Sequence, residues 1–474
     1  SIDFPISCKQ LLHPMAASRY LLHFAHEHIS FRWPEFLALA TKNNCKFDLI
    51  SSKDHLSSRP FILIELKDNS DEANLVKCAQ ESYLLKDLYE LWALSNKSVE
   101  DLALQASRSQ QFERCKILHA TKPNQSFSIL CESFGAKLSQ PTKIDMISKM
   151  FFAKSFEPST LNLSNPTQTY CIFQMNDNQT TTDDSSGQRV VGMTEYYFGR
   201  HLARSSRSLV DRFSLKKRNF IANTSMDPLL SLIAANTAQV KPNDLVFDPF
   251  VGSGSLLVAA AHMGAYVLGA DIDWQLLHGK SKPSRKGMTK REEGECVRAN
   301  LRQYGLESRY IDVIVSDLSR HGFHSKFQLD SIIADPPYGI RESSERIGKR
   351  RCGRSDKLAA DKMRYPTKIN YHTADLISDL LDFSVRHLRL GGRLVYYLPV
   401  TMEDTSNGFE DFLPGHPSLQ LVAFCDQQLT RKTHRLMVVM EKVRPLEDVA
   451  EVNVPTALLT MDFRGTYFNE KKKV

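Results

Sequence analysis

Apolar positions in the first 175 residues fall in short runs whose spacing changes repeatedly. RYLLHFAHEHISF (19–31) and FILIELK (61–67) are dense in apolar and aromatic residues and predict strands, while WPEFLALATKN between them predicts a helix opened by Pro34 near its first turn. A further helix and strand are expected before residue 95. SNKSVEDLALQASR (95–108) begins with a Ser/Asn cluster suited to capping and predicts a helix. FERCKILHA and SFSILCESFG read as strands paired around the turn TKPNQ, and YCIFQM closes that unit. Such alternation predicts two small α+β modules.

The pattern breaks at NDNQTTTDDSSGQR (176–189), which holds no apolar residue and predicts a linker. Beyond it the apolar runs become nearly continuous: DLVFDPF, AYVLGAD, YIDVIVSD, LDSIIAD and GRLVYYLP, most separated by helical stretches. Strands apolar on both faces and alternating with helices predict a parallel sheet covered on each side. The last two runs, LQLVAFCDQ and THRLMVVMEKV, follow each other closely and predict an antiparallel hairpin at the sheet edge.

Composition narrows the class without choosing a function. A chain of 474 residues with 42% hydrophobic and 24% charged residues is globular and, at about 150 residues per domain, has two or three domains. No apolar run approaches the roughly 20 residues that span a bilayer, and the opening SIDFPISCKQ lacks a signal-peptide pattern. Nine cysteines occur singly, with no C-x-x-C pair, which predicts a reducing, cytoplasmic setting and neither a disulfide framework nor a zinc site. His23, His26 and His28 cluster without a further convergent ligand, so no metal is expected. The net charge of +7 favours a polyanionic partner only mildly.

The chemistry is concentrated at predicted strand ends. FDPFVGSGS (247–255) places Asp248, Pro249, Gly252 and Gly254 where a strand turns into a helix, and the glycines permit close backbone approach of a ligand. About 20 residues on, the next strand ends in Asp271, suited to ribose hydroxyls, and a third ends in Asp317, suited to a purine amino group. Leu257 stands where a dinucleotide fold has its third glycine, and Asp248 would repel pyrophosphate. The same acid suits the cationic amino-acid end of S-adenosylmethionine, which is the expected cofactor.

SIIADPPYGI (331–340) raises a separate question, because an aspartate and two prolines are awkward at the end of a buried strand. An exocyclic amine on a nucleobase is a poor nucleophile, since its lone pair is delocalised into the ring. The Asp335 carboxylate and the Pro336 carbonyl, held rigid by Pro337, are placed to accept its two hydrogens and free that lone pair. Tyr338 is suited to stack on a base extruded from its helix.

From Phe213 to Val443 these motifs resemble the class I methyltransferases that act on exocyclic amines, most closely at NTSMDPLLSLIAANT (223–237), DPFVGSGSLL and DPPYGIRE. With YFGR (197–200) and SLKKRNF (214–220), the chain resembles the eukaryotic tRNA guanine-10 N2-methyltransferase catalytic subunits. The resemblance implies a Rossmann-like, mostly parallel doubly wound domain over 213–445. Before it stand an α+β ferredoxin-like domain (1–95), a THUMP RNA-binding domain (96–175) and a linker (176–212), and a tail (446–474) follows. It further implies tRNA as substrate and a small zinc-binding activator subunit as partner. Carried over by residue, Thr224, Asp227, Asp248, Pro249, Gly252, Gly254, Asp271 and Asp317 would bind the donor. Asp335, Pro336, Pro337 and Tyr338 would hold the guanine.

Two basic clusters are candidate RNA contacts: Lys216, Lys217 and Arg218, and, after the catalytic loop, Lys349, Arg350 and Arg351. The insertion GKSKPSRKGMTKREEG (279–294) reads equally as a phosphate contact or a solvated loop, and KKK (471–473) is too short to be a nuclear signal. An adenine N6 or glutamine side-chain methyltransferase is the alternative enzyme, because the DPPY geometry serves any planar amine. A non-catalytic RNA-binding scaffold is the alternative outside enzymes.

Overall fold

The computed structural model describes residues 18–150, 156–176, 194–340, 342–348, 367–402, 408–446 and 451–471, apart from 123, 158 and 286. Two compact units emerge, and the first takes in residues up to 26 together with 43–80 and 85–205. Its strands are β1 (Arg19–Phe24), β2 (Phe47–Leu49), β3 (Phe61–Leu66), β4 (Leu85–Ser95), β5 (Ser126–Phe134), β6 (Thr160–Leu161), β7 (Gln168–Asn176) and β8 (Thr194–Arg204). They form one sheet in the order β2-β3-β1-β4-β8-β7-β5-β6. β8 falls inside the segment 176–212 read as a linker and pairs antiparallel with both β4 and β7. Most of the polar run 176–189 lies outside the described residues.

Three local expectations in this half need correction. The strand expected over 19–31 ends at Phe24, and the next helix, Ile29–Lys42, begins before Pro34, which sits in its interior. FERCKILHA is not a strand but part of the helix Gln110–Thr121. The Ser109 hydroxyl accepts from the Phe112 N–H at 3.1 Å as the helix cap, and Phe112, Cys115 and His119 are buried at helical spacing. β5 consequently pairs in parallel with β7 rather than with a preceding strand.

The second unit comprises residues 206–474 together with 27–42 and 81–84. Its sheet contains β9 (Leu245–Asp248), β10 (Tyr266–Asp271), β11 (Tyr310–Val315), β12 (Leu329–Ala334), β15 (Leu388–Thr401), β16 (Leu419–Gln428) and β17 (Thr433–Lys442), with the pair β13 (Glu345–Ile347) and β14 (Lys368–Asn370) apart. The order is β11-β10-β9-β12-β15-β17-β16. The strands from β11 to β15 run parallel, and β15, β17 and β16 pair antiparallel, as the spacing of the last two runs implied. Phe247, Ile332, Leu394, Tyr396 and Val438 form the middle of the core with Leu376, Leu380 and Phe383 of the helix Thr373–His387. The strand order reverses between β9 and β12, the position at which open α/β sheets bind ligands beyond the carboxyl ends of their strands.

Helix Ile29–Lys42 belongs to this unit through one buried carboxylate. Glu35 accepts from the Tyr83 and Leu84 N–H groups at 2.9 and 3.1 Å, the Ser82 hydroxyl at 2.8 Å and the Asn236 amide at 2.8 Å. A carboxylate with four donors is a stable burial, whereas four donors without it are not.

Candidate functional site

A cavity of about 660 Å³ opens at the strand-order reversal. Its size is in the usual range for a small-molecule site. Thr224, Asp227, Asp248, Pro249, Gly252, Asp271, Asp317, Asp335, Pro336, Pro337 and Tyr338 all line it, so residues spread over more than one hundred positions converge. Gly254 stands behind the wall. With φ +79° it caps the helix Ser255–His262, and a Cβ there would meet Val297 Cγ1 at 2.5 Å. Gly252, at φ +49°, supplies the preceding turn, and its N–H donates to Asp271 Oδ2 at 2.9 Å.

The strand-end acids are held by backbone donors. Asp248 Oδ1 accepts from the Phe250 N–H at 3.0 Å, and Asp271 Oδ1 from the Asp273 N–H at 2.9 Å. Burial raises the pKa of both, and Asp271 and Asp335 add to the effect at Asp248. Asp317 accepts from the N–H and hydroxyl of Ser319 and, at 2.5 Å, from the Ile347 N–H. Asp227 caps the buried helix Pro228–Thr237 by accepting from the Leu229 and Leu230 N–H groups.

Asp335 is partly buried, and burial raises its pKa against the opposing influence of Arg435. The Tyr338 hydroxyl donates to Asp335 Oδ1. Arg435 Nη1 stands 3.8 Å from Asp335 Oδ2, and its guanidinium lies 4.7 Å from the centre of the Tyr397 ring. Sequence reasoning missed Arg435, although a lone arginine in the apolar run THRLMVVM was a visible signal. It also missed Glu342, which accepts from the Thr224 hydroxyl and has its pKa raised by burial, and Tyr467, a cavity-lining residue near the end of the chain.

The basic candidates divide. Lys216 and Lys217 are exposed, but Arg218 is not an RNA contact. It is 1% exposed and donates to the Ser255 hydroxyl at 2.7 Å and the Phe213 carbonyl at 3.2 Å, fastening the start of a helix. Lys349, Arg350 and Arg351 lie outside the described residues. The insertion 279–294 spends its arginines internally. Arg285 donates to the Arg218 carbonyl, while Arg291 donates to Ser281 and Ile221 carbonyls, pairs with Glu295 at 2.9 Å and stacks on Phe220. Ser281, Lys282, Ser284 and Arg291 thereby wall the cavity.

Two family models match, the Tmrp11 THUMP N-terminal domain over residues 18–207 and the RMKL-like methyltransferase domain over 216–351. The human tRNA (guanine(10)-N(2))-methyltransferase TRMT11 is 38% identical over 91% of this chain and 89% of its own. The chain belongs to the tRNA (guanine(10)-N2)-methyltransferase family. The Saccharomyces cerevisiae member is 29% identical over 95% of this chain and 99% of its own length. Among solved structures, TrmN from Thermus thermophilus is similar at TM-score 0.40 and 16% identity, covering 90% of this chain and all of that one. As the resemblance implied, a Rossmann-like methyltransferase domain with a mostly parallel sheet follows a THUMP-type amino-terminal domain. Among the described residues no helix is long and apolar enough to cross a membrane.

Proposed function

We propose that this chain transfers a methyl group from S-adenosylmethionine to the exocyclic 2-amino group of guanosine 10 in tRNA. Family membership supports the substrate, and one observation carries the chemistry: Asp335 and its two prolines open into the same cavity as the glycine turn and the acidic strand ends.

The cavity fits the donor. Buried Asp248 suits a cationic amino-acid end, Asp271 offers acceptors for ribose hydroxyls, and Leu256, Ile272 and Leu318 give apolar surface for an adenine ring. Thr224 and Asp227 flank it, and Gly252 lets the backbone come close. When bound, the donor supplies an electrophilic methyl group on a cationic sulfur.

The chain's own groups prepare the amine. The Asp335 carboxylate and the Pro336 carbonyl accept its two hydrogens, so the nitrogen leaves the plane of the base and its lone pair becomes available. Tyr338 stacks on the extruded guanine. After transfer, Asp335 would take up the surplus proton of the methylated amine. Lys216, Lys217 and the cluster 349–351 would neutralise phosphates, and the ferredoxin-like (1–95) and THUMP (96–175) segments would grip the tRNA.

A small zinc-binding activator subunit is the proposed partner. What supports it beyond the family is the open edge of β11, where Ile311 is 50% and Val315 47% exposed, an edge that a second chain can cover. Free cysteines at Cys45, Cys78, Cys115, Cys131, Cys171, Cys296 and Cys425 suit a cytoplasmic setting.

The test uses tRNA transcripts carrying guanosine or inosine at position 10, labelled donor, and the chain with its activator. Label in N2-methylguanosine and none in the inosine transcript, which lacks the amine, is the expected result. Label retained with inosine, or found on adenine, overturns the proposal.

A further inference from the structure

Arg435 reaches Asp335 from a distant strand and is fixed before it arrives. In β17 it is registered against Gln427 of β16 and Pro399 of β15. Its Nε and Nη2 both donate to Gln427 Oε1, at 2.9 and 2.6 Å. The guanidinium also lies 4.7 Å from the Tyr397 ring centre, and the side chain is 13% exposed. Two hydrogen bonds and a ring leave Nη1 directed at Asp335, 3.8 Å away.

That pairing matters because Asp335 stands among acids. The titratable and charged groups acting on it or feeling it are Asp248 at the end of β9, Tyr338 and Glu342 on its own loop, Tyr397 on β15 and Arg435 on β17. Burial favours a protonated Asp335, and a protonated carboxyl presents a hydrogen where the amine needs an acceptor. A fixed cation 3.8 Å from the carboxylate opposes that preference. The Tyr338 hydroxyl donates to the same carboxylate, which orients one oxygen and leaves the arginine to hold the other.

We propose that Arg435 is a positioning residue for methyl transfer, holding Asp335 ionised and turned toward the amine, with Gln427 and Tyr397 as its frame. The inference rests on the transfer reaction described above. Arg435 touches neither the base nor the methyl group in this scheme. It acts through Asp335.

The experiment compares the wild-type chain, Arg435→Gln and Arg435→Lys, each with the activator subunit, measuring kcat and KM for tRNA from acidic to alkaline pH. In R435Q the acidic limb of kcat moves up by roughly 1 to 3 pH units, the shift an adjacent arginine typically imposes on an aspartate. KM for tRNA stays within about twofold, and R435K, which keeps the charge but not the fork, falls between the two. A loss equal at every pH, or an unmoved limb, overturns the proposal. Should R435Q fail to fold, R435K decides, because an acidic limb at the wild-type position with reduced kcat is equally contrary. Infrared difference spectra against variants that also carry Asp335→Asn read the carboxyl without turnover. A protonated-carboxyl band gained in R435Q at neutral pH supports the role even if the substrate proves to be another amine, and its absence refutes it.

Discussion

Asp248 and Asp335 close the ends of two adjacent parallel strands, β9 and β12, and Asp335 is near enough to add to burial in raising the pKa of Asp248. Two acids brought together in this way make a poor site for an anion and a good one for a cation. Without ligand, burial and the neighbouring acids therefore favour the protonated form of Asp248. A cationic donor favours its ionised form, so binding releases a proton, and affinity rises with pH until the raised pKa is passed. Calorimetry in buffers of different ionisation enthalpy should show that release, and Asp248→Asn should abolish it while weakening donor binding by roughly 10-fold or more. The sign for stability is opposite. A carboxyl whose folded pKa lies above its unfolded value stabilises the ligand-free chain below the unfolded pKa, and that stability is lost as pH rises through the folded one.

The two glycines of the turn between β9 and the helix Ser255–His262 should differ. A Cβ at Gly254 meets Val297 Cγ1 at 2.5 Å and sits at φ +79°, whereas at Gly252 the nearest atom is 3.9 Å away and only the φ of +49° is unfavourable. Gly252→Ala should cost about 1 kcal/mol in denaturant unfolding, and Gly254→Ala about 2 to 4 kcal/mol, since strain and overpacking add. Val297→Ala should recover part of the second loss and none of the first.

Glu35 lies far from the motifs that mark the catalytic half in the sequence, yet it satisfies donors on Ser82, Tyr83, Leu84 and Asn236. Glu35→Ala should destabilise by roughly 3 to 5 kcal/mol, because several buried donors lose their acceptor together. A fragment beginning at residue 213 should unfold at lower denaturant than the whole chain, for the same reason. Equal midpoints would show the helix Ile29–Lys42 to be dispensable.

The carboxyl-terminal helix Phe463–Lys471 contributes to the site. The Phe463 ring meets Tyr338 edge-on at 6.1 Å, Tyr467 lines the cavity, and Glu470 accepts from the Lys432 N–H at 2.8 Å, anchoring the helix to the β16–β17 turn. Truncation before Phe463 should raise KM for tRNA by about 10-fold through the loss of aromatic support, with donor affinity unchanged as measured by calorimetry.

How much of this was legible in the sequence follows from how local the signals are. In LVFDPFVGSGS, YVLGAD and LDSIIADPPY each acid stands at or just beyond the end of its own strand, and the strand order needed only to bring them side by side. FERCKILHA was misread because periodicity alone does not separate strand from helix in so short an apolar run, and the deciding cap, Ser109, lies outside it. Arg218 carried the right charge for RNA, but its surroundings, Ser255 and Tyr304, come from elsewhere in the chain. The site roles of Arg435 and Tyr467 were not read for the same reason: their places beside Asp335 and in the cavity wall exist only after the β16–β17 hairpin and the last helix have packed.

The account stands on the acceptor role of Asp335, and single-turnover methyl transfer by Asp335→Asn tests it most directly. With donor and tRNA binding verified as unchanged, the rate should fall by roughly 10² to 10³ or more, because the neutral amide is a weaker acceptor than a carboxylate and cannot take up the amine's surplus proton. Transfer by that variant at close to the wild-type rate would contradict it.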